Sequence, residues 1–397
     1  MDGQVLFRQG AFGLVARARG GSARKVDEAQ IVRLREFAQR QDRLADDVVE
    51  WLPRDRRGRE LVNRALAEGI GRVEQAPDEL RAFFTHVEGT PYWVDAERLD
   101  RGARAITRAG LLGLFPLGDL SLMGGYFASR ATKSLVGTGE IEHRTVHRLF
   151  ETAAWWIDVT TPGALVRHGE GYQAALRIRL VHAQVRRAMN RRADWDYESW
   201  DRPVNEVQSA GTLLLFSLVY LAGAELLGVR YSAQERADVL HLWRYVGWLV
   251  GVPGELLPAD EDDAWRLLWL LAATEFIPDD DTKRLAKALV ASHTAIGNGR
   301  GAAGWVLAQV NVRVHASISR LVLGRANADY LGLPDDPIAQ TAVVLGAGAN
   351  FVAETVRPFV PGATALQERL GDLGRRRYRQ RLNELMGRDR ARSDRAA

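Results

Sequence analysis

The stretch Gly171–Asn190, GYQAALRIRLVHAQVRRAMN, decides the fold class of this chain. Its apolar side recurs at spacings of three, four, three and four residues, which defines one stripe of an α-helix. The stripe consists of Ala175, Ile178, His182, Val185 and Met189. Because arginines occupy both flanks, the helix is amphipathic and its apolar side faces a core.

His182 lies in the middle of that apolar stripe. A buried imidazole left without a partner costs about 1–3 kcal/mol, so some group must engage it. One interpretation is a core histidine that hydrogen-bonds a neighbouring side chain or carbonyl. The other is a metal ligand, because neutral imidazole is the commonest protein donor to transition metals.

The composition bounds the class of protein. The chain has 397 residues, of which 46% are hydrophobic, and it contains no cysteine. The missing thiols exclude disulfides, cysteine-bound zinc, iron–sulfur clusters, thiolate-bound haem and covalently attached c-type haem. One histidine in an apolar stripe, without cysteine, instead suits a five-coordinate haem with arginines for its propionates.

The positive charge is concentrated at the carboxyl end. Residues 375–397 contain nine arginines and three acidic residues, a net charge of +6, whereas the whole chain carries +4. The remaining body is therefore close to neutral at −2, which argues against nucleic-acid binding as the main function. We interpret the basic tail as a solvated end or as a segment that binds weakly to anionic surfaces.

The periodicity predicts an all-α protein with one large helical domain, since no alternating apolar and polar run is long enough to require a strand. We divide it into an N-terminal helical extension (1–90), a core (91–258), C-terminal helices packing on that core (259–374) and the basic tail (375–397). The most membrane-like segment, Gly211–Val229, contains Glu225 and reads as a buried helix rather than a transmembrane segment. The N-terminus lacks a signal-peptide pattern, so we expect a cytoplasmic protein.

The helix expected over residues 140–159 carries candidate chemistry. Arg148 and Thr152 are four residues apart and therefore share a face, which Trp155 continues and Glu151 borders. This set is either a polar cluster over a bound ligand or an Arg–Glu pair that braces two helices. The sequence contains no HExxH, GxSxG or P-loop motif, and the His143–His147 spacing alone is a weak metal signal.

Four motifs in order resemble the latex-clearing protein (rubber oxygenase) and MpaB-type oxygenase family, and the similarity runs from about residue 91 to 258. They are RLFET at Arg148–Thr152, RLVHAQVR at Arg179–Arg186, TLLLFS at Thr212–Ser217 and WRYVGWLVG at Trp243–Gly251. The resemblance implies a haem b protein with a globin-like helical core that uses dioxygen.

The resemblance also implies roles for individual residues. His182 matches the proximal iron ligand, Arg148 and Thr152 match distal polar residues, and Arg179 and Arg186 match arginines that support the haem environment. Where latex-clearing proteins have a lysine that can occupy the distal iron position, this chain has Glu151.

Two further roles are assigned only as candidates. Glu151 or Glu140 could serve as the distal acidic base. Thr212 or Asn205 could hydrogen-bond the second nitrogen of the ligand imidazole and so fix its tautomer.

We therefore expect a haem b-dependent oxygenase that oxidises an apolar, unsaturated small molecule with dioxygen. One alternative is a non-enzymatic haem carrier or gas sensor on the same scaffold. Another is a helical interaction protein without a cofactor, in which His182 is satisfied by its neighbours.

Overall fold

A computed structural model describes residues 9–21, 25–137, 141–294 and 301–396, and it describes their side chains except for 141–146 and 388–396. Helices dominate, and no β-strand occurs within these ranges. The all-α prediction is therefore confirmed.

The helices of the N-terminal half begin with a set of short amphipathic segments. These are α1 (Gly10–Gly20), α2 (Glu28–Phe37), α3 (Arg43–Trp51), α4 (Gly58–Glu68), α5 (Asp78–Glu88) and α6 (Ala96–Arg108). After α6 the chain forms a 3₁₀ turn, Gly110–Gly113, a π-helical turn, Leu117–Leu122, and then α7 (Ser129–Gly137), α8 (Ile141–Val159) and α9 (Glu170–Asn190).

Most helices of the C-terminal half are longer. They are α10 (Glu206–Leu226, with a π-helical turn at Leu215–Val219), α11 (Ala233–Leu249), α12 (Glu261–Thr274), α13 (Asp280–Ser292), α14 (Gly301–Leu323), α15 (Arg325–Tyr330), α16 (Pro337–Val356) and α17 (Ala363–Ala396). The helix predicted from the apolar stripe at Gly171–Asn190 is α9. It packs against α3 on one side and α8 on another.

Local sequence signals explain where several helices begin. Asp27 caps α2 in a capping box with Gln30, and Ser232 and Glu235 form a second capping box at the start of α11. Apolar residues keep helical spacing from Asp27 to Pro53, which by itself indicates one helix. The structure instead has two helices, because Asp42 caps a new helix, α3, by accepting a hydrogen bond from the Ala45 amide.

The basic C-terminal segment packs on the body as far as its side chains are described. Arg375 is buried and donates hydrogen bonds to Thr160 Oγ1 at 2.6 Å and to the Ile157 carbonyl at 3.2 Å. Arg379 pairs with both oxygens of Asp158, at 2.8 and 2.9 Å. The interpretation of the basic tail as a solvated end is therefore wrong for Arg375 and Arg379. The helix α17 continues without a break through residue 375 and packs on α8.

By length and composition, one described helix could cross a membrane, Glu206–Leu226 (α10). Within the protein, 78% of its most apolar window is buried, which agrees with the buried helix predicted for this segment. A second candidate arises only if Gly110–Gly125 and Ser129–Gly137, which are bent by 98°, are taken as one span.

Candidate active site

His182 lies halfway along α9, on the side that the sequence pattern assigned to the core. Burial, together with the positive charge of Arg186, lowers the pKa of the imidazole to about 4. The residue as a whole is half-buried, and the adjacent Val181 is 43% exposed. At neutral pH the imidazole is therefore uncharged, the form that binds metals.

No hydrogen bond to either ring nitrogen of His182 is found among the described residues. Thr212 Oγ1 donates to the Gln208 carbonyl at 2.9 Å, and the Asn205 side chain caps α10 by accepting from the Gln208 amide at 2.9 Å. Neither candidate partner thus contacts the imidazole. The interpretation of His182 as a core histidine satisfied by a protein partner finds no support in this part of the chain.

Arg179 and Arg186 lie on the neighbouring face of α9, and carboxylates of α3 hold both. Arg179 donates to the two oxygens of Asp42 at 2.7 and 2.9 Å, and Arg186 donates to Asp46 Oδ1 at 2.7 Å. Burial alone would raise the pKa of Asp42, but the two guanidinium groups outweigh it and lower the pKa. Both arginines therefore fix α9 on α3, and their charge is already paired.

The polar residues predicted on α8 lie at different depths. Arg148 is half-buried and donates to the Leu135 carbonyl at 2.9 Å, and Thr152 is also half-buried. Glu151 is exposed and lies 3.0 Å from His147 Nε2. A buried Arg–Glu brace, the structural alternative for this cluster, would need Glu151 inside the protein, and the structure places it at the surface.

The aromatic residues behind this face form a cluster between α8, α10 and α11. Trp155 packs against Phe216 at 5.9 Å and Trp243 at 6.1 Å between ring centroids. Trp243 itself is buried, so it supports the cluster from behind. Glu140 and the side chain of His143 lie outside the described residues.

The sequence pattern missed a second group of ionisable side chains. Asp119, His293 and His315 meet inside the protein, although Asp119 and His315 are 196 positions apart. No local spacing could have revealed this cluster, because each residue comes from a different segment and only the tertiary fold joins them.

Comparison with known proteins gives consistent results. Residues 107–357 match the family model described as "ER-bound oxygenase mpaB/B'/Rubber oxygenase, catalytic domain". The chain is 25% identical over 303 residues to the rubber oxygenase of Streptomyces sp. (strain K30), covering 72% of this chain and 70% of that protein.

A solved structure described as latex clearing protein LCP in the closed state also resembles this fold. The TM-score is 0.63 at 20% sequence identity, over 85% of this chain and 90% of the other. At that identity the likeness supports the helical fold, while the family match extends from α6 through the end of α16.

Proposed function

Because this chain belongs to the family of mpaB-type and rubber oxygenase catalytic domains, we propose that it is a haem b-dependent oxygenase acting with dioxygen on an apolar, unsaturated substrate. The family match supports the oxygenase. The cofactor, the residues that hold it and the substrate are the parts that we propose.

The observation that carries the cofactor proposal is the state of His182. Its imidazole is uncharged at neutral pH, half-buried and without a hydrogen-bond partner among the residues described. Burying an imidazole nitrogen without a partner costs free energy unless something binds it. Haem b needs one such nitrogen and no thiolate, which fits a chain without cysteine.

Two arginines of α9 set the orientation of His182. Arg179 and Arg186 fix the helix on α3 through Asp42 and Asp46, so the orientation of His182 is set before any cofactor binds. We therefore assign the two arginines a positioning role toward the cofactor. Thr212 lies on α10 and is exposed; as a cofactor contact it remains a proposal.

When bound, haem supplies the redox-active iron for chemistry with dioxygen. On α8, which packs directly on α9, the Arg148 guanidinium and the Thr152 hydroxyl would orient dioxygen or substrate by hydrogen bonding. Glu151, whose exposed carboxylate pairs with His147, would serve as the distal acid–base group.

Apolar surface supports an apolar substrate. Leu135 and Val181 are 37% and 43% exposed, and Trp155 lies half-buried on the same helix as Arg148. Binding sites for small apolar molecules are lined mostly by such side chains with a few polar groups. We propose a small or lipid-like unsaturated compound, met in the cytoplasm, as the substrate.

The ultraviolet–visible spectrum of the purified protein tests the cofactor. We expect a Soret band in the wild type that is lost in His182→Ala and kept in His86→Ala, which replaces an exposed histidine that stacks on Trp248. An unchanged haem content in His182→Ala would contradict the assignment. Substrate-dependent oxygen consumption then separates an oxygenase from a haem carrier or sensor.

The domain division stays part of this proposal. We place the haem-binding core in residues 91–258 and the packing helices in 259–374, with the basic segment from 375 onward. A truncation after residue 374 tests the last boundary: we expect loss of stability, because Arg375 and Leu382 are buried against the body.

A further inference from the structure

A second site lies where the π-helical turn Leu117–Leu122 meets α13 and α14. Asp119 comes from the π-helical turn, His293 immediately follows α13, and His315 lies in α14. π-helical turns are rare and frequently found at functional sites. None of these residues takes part in the site proposed around His182.

The donor atoms of the three side chains converge. His315 Nδ1 lies 2.9 Å from both carboxylate oxygens of Asp119, and His293 Nε2 lies 3.9 Å from Oδ1. The two imidazole rings stack with centroids 3.6 Å apart and planes 8° apart. One donor atom from each residue falls within 4.8 Å of the other two.

Burial of these polar side chains costs free energy. Asp119 has no exposed surface, and the His293 side chain is 9% exposed with a buried Nε2 that finds no partner among the described residues. A buried carboxylate beside an unpaired imidazole is costly unless a cation compensates it.

We propose that Asp119, His293 and His315 form a binding site for a divalent transition-metal ion, separate from the His182 site. Two imidazoles and one carboxylate are the donors such ions prefer, and three ligands leave coordination positions open. Donor atoms that each lie about 2.0–2.2 Å from one metal are roughly 3.0–3.5 Å apart. His315 and Asp119 are already close to that spacing.

The remaining adjustment is small. His293 Nε2 must approach Asp119 by under about 1 Å, and the stacked rings must splay so that both lone pairs point at one ion. An ion bound at His315 Nδ1 takes the place of the contact between that nitrogen and the Asp119 carboxylate. Phe115, whose ring is 4.9 Å from that of His315, covers one side.

Zinc is the probe for this site, because it is redox-inert and accepts both donor types. We expect the protein as purified, after dialysis against a chelator, to take up one zinc per chain in equilibrium dialysis with elemental analysis. Asp119→Asn and His293→Gln should each weaken zinc binding at least tenfold and leave the haem content unchanged. His182→Gln is the matched control, which should keep the zinc site and lose haem.

A structural readout needs no variant. Zinc K-edge X-ray absorption of the wild type should show two imidazoles and oxygen ligands in the first coordination shell. Absence of a saturable zinc, a shell without two imidazoles, or equal zinc affinity in folded Asp119→Asn and His293→Gln would overturn the site. The cluster would then be a buried hydrogen-bonded His–Asp pair with a second histidine stacked on it.

Discussion

Asp42 holds α9 in place through Arg179, and its substitution is the sharpest test of the fold around His182. Its carboxylate binds Arg179 through two hydrogen bonds at 2.7 and 2.9 Å, and Arg186 Nη2 lies 3.9 Å away. Both guanidinium groups are 3% exposed. Asp42→Asn keeps the shape and the capping oxygen of the side chain and removes only its charge.

The expected loss of unfolding free energy in Asp42→Asn depends on which partners Arg179 and Arg186 keep. Breaking a buried ion pair on one side costs about 3–5 kcal/mol. Arg186 still has Asp46, and the amide oxygen of the variant still accepts one hydrogen bond from Arg179. We therefore expect the free energy of unfolding to fall by the lower figure, about 3 kcal/mol.

The assay is guanidinium chloride unfolding at neutral pH, followed by tryptophan fluorescence. Asp47→Asn is the matched control, an exposed aspartate on the same helix, for which the change should stay within about 0.5 kcal/mol. A loss in Asp42→Asn no larger than in the control would refute the reasoning that this carboxylate anchors α9.

The pH dependence of this effect has a definite sign. The folded pKa of Asp42 is lowered, so its contribution is fully present above the unfolded value of about 3.9 and is lost as pH falls through the folded pKa. The difference in stability between wild type and Asp42→Asn should therefore narrow below about pH 4.

Three further predictions concern the proposed chemistry. Arg148→Ala and Thr152→Ala should keep haem but lower turnover by about 10²–10³-fold, whereas the exposed Arg177→Ala should not; full activity in both would make this face structural. With Glu151 in the place of lysine, the ferric protein should show no nitrogen ligand opposite His182, and a low-spin spectrum with such a ligand at neutral pH would contradict this. Latex incubated with the enzyme and oxygen should yield little oligo-isoprenoid aldehyde; efficient release, assayed by chromatography, would show that polyisoprene is a substrate.

Local patterns anticipated much of the fold. The stripe of α9 and the capping box of Ser232 and Glu235 depend on residues three or four positions apart, so the chain encodes them without reference to the rest of the protein. The ordered motifs around Arg148 and His182 likewise indicate the oxygenase family through residue identity and order alone, and the family match confirms that prediction.

Contacts between residues far apart in the sequence determined the rest of the fold. The carboxylates that occupy Arg179 and Arg186 come from α3, about 140 positions earlier in the chain. The basic segment docks through Arg375 on Trp156 and Thr160, although its composition suggested a solvated end. Charge alone cannot tell a solvated arginine from one that a distant helix buries.

The sequence by itself determined that the chain is helical, that His182 lies on a helix and that no thiolate can bind a metal, because these depend on composition and on spacing within one helix. The three middle residues of the predicted stripe are only half-buried, whereas Arg179 and Arg186 on its flanks are buried. Only the tertiary structure decided which carboxylate meets which guanidinium, that the His182 imidazole is left without a described partner, and that Asp119 joins two distant histidines. Those outcomes depend on burial and on contacts between segments, and hydrogen bonds and charges take their strength from that burial.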